Sequence, residues 1–135
     1  MVKGSCLCGA IAFAAEPPAG GLRIGFCACP SCRKAHAAPF NAYAEVPRAG
    51  FRWLRGTDKA SVYESSPGKN RHFCSVCGSQ LIAERPGKPT VLLRVGLLDE
   101  DPGVRPVEHI FLGLKVPWCD WETDGIERYA TEPQT

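Results

Sequence analysis

With 135 residues, 44% of them hydrophobic and 22% charged, the chain has the make-up of a soluble globular protein long enough to bury a core of its own. Its formal charge of +2 comes from sixteen scattered Lys and Arg, which gives no basic block of the kind that marks nucleic-acid binding, and no stretch approaches the roughly 20 apolar residues needed to span a bilayer. The opening stretch MVKGSCLCGAIAFAAE lacks a signal-peptide core, so the expected compartment is the cytosol, where thiols stay reduced.

Fourteen Gly and twelve Pro favour short strands and many turns over long helices. Segments of β-branched and aromatic residues, separated by breaks such as PPAGG, PRAG, SSPGK and ERPGKP, predict strands at 10–15, 22–27, 41–46, 51–54, 60–64, 70–74, 80–84, 90–96 and 107–112. The most continuous apolar run, TVLLRV, is expected to be a central strand buried on both faces. One short helix is expected, with Pro30 in its first turn and SCRKAHA continuing from it. The reading is mostly β, with several short antiparallel strands and one short helix. A single domain is expected over residues 1–130, followed by a loose tail at 131–135.

The chemistry lies in eight cysteines: Cys6 and Cys8 as C-x-C, Cys27, Cys29 and Cys32 as C-x-C-x-x-C, Cys74 and Cys77 as C-x-x-C, and a solitary Cys119. In a reducing compartment these spacings point to zinc rather than to disulfides. Zinc takes four tetrahedral ligands, and FCSVCGSQL reads as a zinc knuckle, two ligands on a tight turn with Gly78 behind to relieve the backbone. GSCLCG is flanked by glycines in the same manner. Ligand counting favours one closed structural site from Cys6, Cys8, Cys74 and Cys77. A competing partition joins part of the triplet to Cys74 and Cys77 and strands the N-terminal pair.

The triplet needs nothing from elsewhere to hold a metal by three bonds. A structural zinc site is closed, whereas a reactive one keeps a position open. Three thiolates about Zn²⁺ leave a net charge of −1, which suits delivery of a thiolate better than generation of hydroxide. Arg33 and Lys34 can offset that charge or attract an acidic thiol; their plainer reading is as two solvated charges on a short helix. His36, four residues after Cys32, or Cys119 can instead supply a fourth ligand and make both sites structural.

GSCLCGAIAF, CACPSCRKAHAAPF, FCSVCGSQL, GLLDE and PVEHIFLGLKVPW, in that order from about residue 4 to residue 121, resemble the glutathione-dependent formaldehyde-activating enzyme (GFA) family, whose domain type also occurs in centromere protein V. The resemblance implies a zinc-clipped β-tent fold and two zinc ions per chain. It assigns Cys6, Cys8, Cys74 and Cys77 to the structural ion, and Cys27, Cys29 and Cys32 to the site associated with activity. His109 and Trp118 match a recurrent segment whose role is expected to be structural. The implied activity is that of a carbon–sulfur lyase joining glutathione to formaldehyde to give S-hydroxymethylglutathione, so the expected partners are a small thiol and an aldehyde. Ala28, His36, Ala37 and Gln80 depart from residues common in the family, which bears on the substrate and removes no ligand. Two rival readings are a non-catalytic interaction module with two structural metals and a thiol-based metal buffer or redox sensor. Exposed strand edges allow a homodimer without requiring one.

Overall fold

The computed structural model describes residues 1–120, 126–128 and 130–131. Ten strands and one α-helix lie among them: β1 (Val2–Ser5), β2 (Ala12–Ala15), β3 (Ile24–Cys27), α1 (Pro30–His36), β4 (Asn41–Pro47), β5 (Phe51–Arg55), β6 (Ala60–Ser66), β7 (Lys69–Cys74), β8 (Gln80–Glu84), β9 (Thr90–Arg94) and β10 (Glu108–Ile110). Every strand expected from the sequence is present within a few residues. β1 was not expected, because VKGS carries a single apolar residue. It forms by pairing antiparallel with β2, with Val2 opposite Ala15. The expected tail falls almost wholly outside the described residues. No helix among the described residues is long and apolar enough to cross a membrane.

The strands form two sheets, a small one ordered β1-β2-β5 and a seven-stranded one ordered β10-β3-β4-β9-β8-β7-β6. Pairing is antiparallel throughout except that β10 runs parallel to β3. The main core lies between the sheets. Phe13 and Ala15 of β2 meet Ile24, Ala44, Val46, Ile82, Val91 and Leu93 of the large sheet, with Phe51 and Trp53 of β5 at the border. Phe13 is wholly buried, which is worth about 2–3 kcal/mol by transfer from water.

β9 is the middle strand of the seven, as TVLLRV predicts. It is not apolar on both sides. Side chains alternate along a strand, so Val91 and Leu93 enter the core while Leu92 and Arg94 face away from it. By register, the same far face receives Cys27 opposite Asn41, Tyr43 opposite Arg94, Leu92 opposite Ala83, and Ala83 opposite Arg71. That far face carries one of the two sulfur clusters.

Candidate metal centres

Two clusters of sulfur atoms form. The Sγ atoms of Cys6, Cys8, Cys74 and Cys77 all lie within 4.8 Å of one another, and so do those of Cys27, Cys29 and Cys32. This is the partition that ligand counting favours, and the competing one is not the arrangement adopted.

The four-cysteine cluster is built from two similar turns. After β1, Gly9 N–H donates to the Cys6 carbonyl at 2.9 Å; after β7, Gly78 N–H donates to the Cys74 carbonyl at 2.8 Å. Both glycines adopt φ near +80°, where a side chain is disfavoured. Ser79 ties the turns together, its hydroxyl accepting from Leu7 N–H at 3.0 Å. A tetrahedral zinc–thiolate site with bonds of about 2.3 Å places its sulfurs about 3.8 Å apart. Cys6 and Cys8 are 3.6 Å apart, and Cys8 and Cys74 are 3.9 Å apart, so the donor set fits a tetrahedral ion. Hydrogen bonds with Ser79 hold the Cys77 thiol down at about 5. At Cys8 a backbone hydrogen bond from Ala10 favours the thiolate, but the adjoining sulfurs, Cys6 first, push the thiol up to about 11. Four thiolates in one place repel, and a divalent cation among them removes the conflict. Cys6 and Cys74 also pack with Ile11 and Leu81, so this cluster is part of a second small core.

The three-cysteine cluster lies where β3 runs into α1. Cys27 ends the strand, and Ala28 N–H donates to the Ile110 carbonyl of β10. Cys29 caps the helix, its sulfur accepting from Cys32 N–H at 3.4 Å, and Pro30 follows in the first turn, where its missing N–H costs nothing. Cys27 and Cys32 are buried and Cys29 is partly so. Burial pushes the Cys27 thiol up to about 12. At Cys29 burial acts in the same sense, but hydrogen bonds from the Cys32 backbone and the adjacent sulfurs outweigh it and lower the pKa. The three sulfurs fit one metal ion by type and spacing.

The surroundings of this cluster are cationic. Arg71 Nη2 lies 3.8 Å from Cys32 Sγ, and Arg71 Nε donates to Ser65 Oγ at 2.9 Å. Arg94 interacts electrostatically with all three cysteines; burial lowers it to about 10, which leaves it charged at neutral pH. Lys69 is half-buried beside them, lowered by burial and by Arg71. His36 is depressed to about 4 by burial and by the charges of Arg94 and Arg71, so it is neutral. Nothing in the motifs marks Arg71, Arg94 or Lys69. The signal in the sequence is an arginine inside the most apolar run, TVLLRV, where a charge must find a partner.

The remaining expected residues fall as follows. Neither His36 nor Cys119 joins the triplet as a fourth donor within the same 4.8 Å limit. Arg33 is partly buried and donates to the Ala28 carbonyl at 3.1 Å, closing the loop between Cys27 and the helix, while Lys34 is exposed. His109 packs on Phe26 and Phe40, as a structural role requires. Trp118 differs: it is 73% exposed, beside the C-terminal end of α1. A cleft of about 430 Å³ opens next to the triplet, between α1 and strands β6 and β7; its walls include Lys34, Tyr63, Arg71 and Phe73. A larger cleft of about 790 Å³ lies around Tyr43, Arg105 and Glu108; no cysteine lines either cleft, and the smaller one is tied to the triplet through Arg71, which reaches Cys32.

Comparison with known proteins is consistent with this arrangement. Residues 1–113 match the family described as glutathione-dependent formaldehyde-activating enzyme. A Halomonas elongata protein named "Putative glutathione-dependent formaldehyde-activating enzyme" is 30% identical over 136 aligned positions, covering 95% of this chain and 85% of that protein. The crystal structure of a Rhodobacter sphaeroides protein superposes with a TM-score of 0.64 at 25% identity, covering 79% of this chain and 98% of that one.

Proposed function

Since the chain belongs to the glutathione-dependent formaldehyde-activating enzyme family, we propose that its three-cysteine cluster is an open zinc centre at which a small thiol, glutathione or a similar one, is joined to an aldehyde such as formaldehyde. The observation that carries this reading is the convergence of Cys27, Cys29 and Cys32 with no fourth Cys, His, Asp or Glu donor among the described residues. Three protein ligands and an open position are what a reactive zinc site has, and four are what a structural one has. The other zinc ion of the pair is assigned to Cys6, Cys8, Cys74 and Cys77.

When bound, a zinc ion at the triplet supplies Lewis acidity that favours the deprotonated form of an incoming thiol. The chain's own residues do the rest. Cys27, Cys29 and Cys32 would hold the ion, and the cleft between α1 and β6–β7, linked to Cys32 through Arg71, has a volume that suits a small molecule. Arg71 borders that cleft and also reaches Cys32, so it joins the ligand's path to the sulfur cluster. Lys34 at the rim offers a charge to an acidic thiol, and Tyr63 and Phe73 offer an apolar wall. The reaction balances without an oxidant: sulfur forms a bond to the carbonyl carbon, the carbonyl π pair moves to oxygen, and oxygen gains the proton that the thiol loses. The reverse is the carbon–sulfur lyase direction. Holding both reactants in register supplies the entropic part of the rate gain.

The test is calorimetric titration of the zinc-loaded protein with glutathione, with metal content measured before and after. Binding at or below millimolar concentration, abolished by Cys29→Ser, is expected. Absence of binding by glutathione and by simpler thiols at that concentration overturns the proposal.

His36 supports a second reading. Its imidazole is neutral, and its Nε2 is buried without a hydrogen-bond partner. A shift of α1 that brought this nitrogen to the triplet would close the site and make the protein a non-catalytic module with two structural metals. Two metals per chain with no thiol binding would favour that reading.

A further inference from the structure

Two arginines that no motif marks lie against the three-cysteine site, and this inference rests on the open-site reading above. Arg71 of β7 and Arg94 of β9 are 3% and 4% exposed and reach the same face of the sheet across β8. A buried guanidinium is costly unless an anion meets it. Among the described residues neither arginine forms an ion pair with a carboxylate. Nη1 of Arg71 and both Nε and Nη2 of Arg94 are buried without a hydrogen-bond partner, as are both polar side-chain atoms of Asn41 across from Cys27. The strongest charge interactions of Arg94 are with Cys32, Arg71, Cys27 and Cys29. Deprotonated on a metal ion, the sulfur cluster would be the counter-anion of the pair.

We propose that Arg71 and Arg94 are a buried cationic floor that makes the three-cysteine site select an anionic fourth ligand, the thiolate of a small thiol, over a neutral one. Three thiolates about a divalent ion sum to a single negative charge, which compensates one guanidinium and not two. A thiolate in the fourth place brings the sum to two and balances the pair. Water or an imidazole in that place leaves a buried positive charge without a counter-charge. As the thiol binds, its S–H bond breaks, the electron pair stays on sulfur and the proton leaves to solvent. Lys69, on the same strand as Arg71, adds to the positive field and reinforces the preference. His36 is the neutral donor within the chain that this charge count disfavours.

The test uses the full chain loaded with cobalt(II), whose absorption reports the ligands without any turnover; the four-cysteine site serves as an internal reference. Titrations with 2-mercaptoethanol and, separately, with imidazole at mildly alkaline pH compare a ligand that binds as an anion with one that stays neutral. Arg71→Met and Arg94→Met are expected to weaken mercaptoethanol binding about tenfold or more, the scale of a lost charge-assisted contact, while imidazole binding is unchanged or tighter. Arg71→Lys and Arg94→Lys should recover much of the thiol affinity. Equal weakening of both ligands, or undiminished thiol binding in the methionine variants, overturns the cationic floor and leaves the open site standing. No spectral response to any thiol in the unaltered protein overturns the open site itself, and the preference with it. If the methionine variants do not fold, the unaltered protein decides: tighter binding of imidazole than of mercaptoethanol overturns the proposal, and the reverse order, with affinity kept in the lysine variants, supports it.

Discussion

The two sulfur clusters are made of the same atoms and differ in almost everything around them. The four-cysteine cluster joins two turns far apart in the chain, sits against Ile11 and Leu81, and offers four donors from within. The three-cysteine cluster is local to one strand end and one helix turn, lies on the sheet face away from the main core, and is bordered by Arg71, Arg94 and a cleft. One cluster closes a long loop of chain, and the other is carried on structure that is already formed. The contrast teaches that donor count and chain separation together set the two clusters apart, where either alone is ambiguous.

The strongest way to break that contrast is to remove one sulfur from each cluster. Cys8 and Cys74 are 66 residues apart, and a cross-link of that span constrains the unfolded chain by roughly 4 kcal/mol in the chain-entropy model. Cys74→Ser should therefore unfold or aggregate the protein. Cys29→Ser should keep the fold and lower zinc content from two per chain towards one. Thermal unfolding and metal analysis of the two variants, purified side by side, check this; equal destabilisation would erase the distinction.

A smaller effect concerns acid. His36 has an ordinary value of 6.5 and a folded value of about 4. Between those values the unfolded chain binds a proton that the folded chain refuses, so stability rises with pH across that window. The contribution is intact above about pH 6.5 and is lost progressively as pH falls towards 4. Denaturant midpoints at about pH 7 and about pH 5 should differ more for the unaltered protein than for His36→Gln. Parallel losses in the two proteins would mean that the cationic pocket does not hold this imidazole neutral.

The smallest effect lies at the end of α1. The knuckle turns place Gly9 and Gly78 at positive φ, whereas the helix that carries Cys32 ends on Ala37 at φ +50°. An L-residue pays about 1–2 kcal/mol in that region, and glycine returns part of the gain as chain entropy. Ala37→Gly should raise stability by about 1 kcal/mol or less, with thiol binding unchanged, as read by chemical denaturation. A loss of stability would show that the methyl group packs to more purpose than its backbone angle costs.

The sequence made the strands and the sulfur clusters legible for physical reasons. Strands alternate between turn signals that use Gly and Pro, and C-x-C and C-x-x-C force their sulfurs together whatever the rest of the fold does. β1 escaped notice because pairing with β2, rather than its own composition, makes it a strand. Arg94 gave only the hint of a charge in an apolar run, and Arg71 none, because three antiparallel strands bring them to Cys32 and register across a sheet cannot be read from a single chain. The nearest cations in sequence, Arg33 and Lys34, drew attention instead. Arg33 spends its Nε on the Ala28 carbonyl, and Lys34 stands at the rim of the cleft. Trp118, expected to play a structural role because it matches a recurrent family segment, lies mostly in solvent.

Strand β9 puts Leu93 into the oil between the sheets and the next residue, Arg94, under the sulfurs. A single residue inserted or deleted within Thr90–Leu93 would exchange the two, driving a guanidinium into hydrocarbon and presenting a leucine to the sulfur cluster. Stability and chemistry would fail together at that strand. Anyone reshaping this protein for a new ligand therefore has freedom at cleft residues such as Lys34 and Tyr63, and none in the spacing of its middle strand.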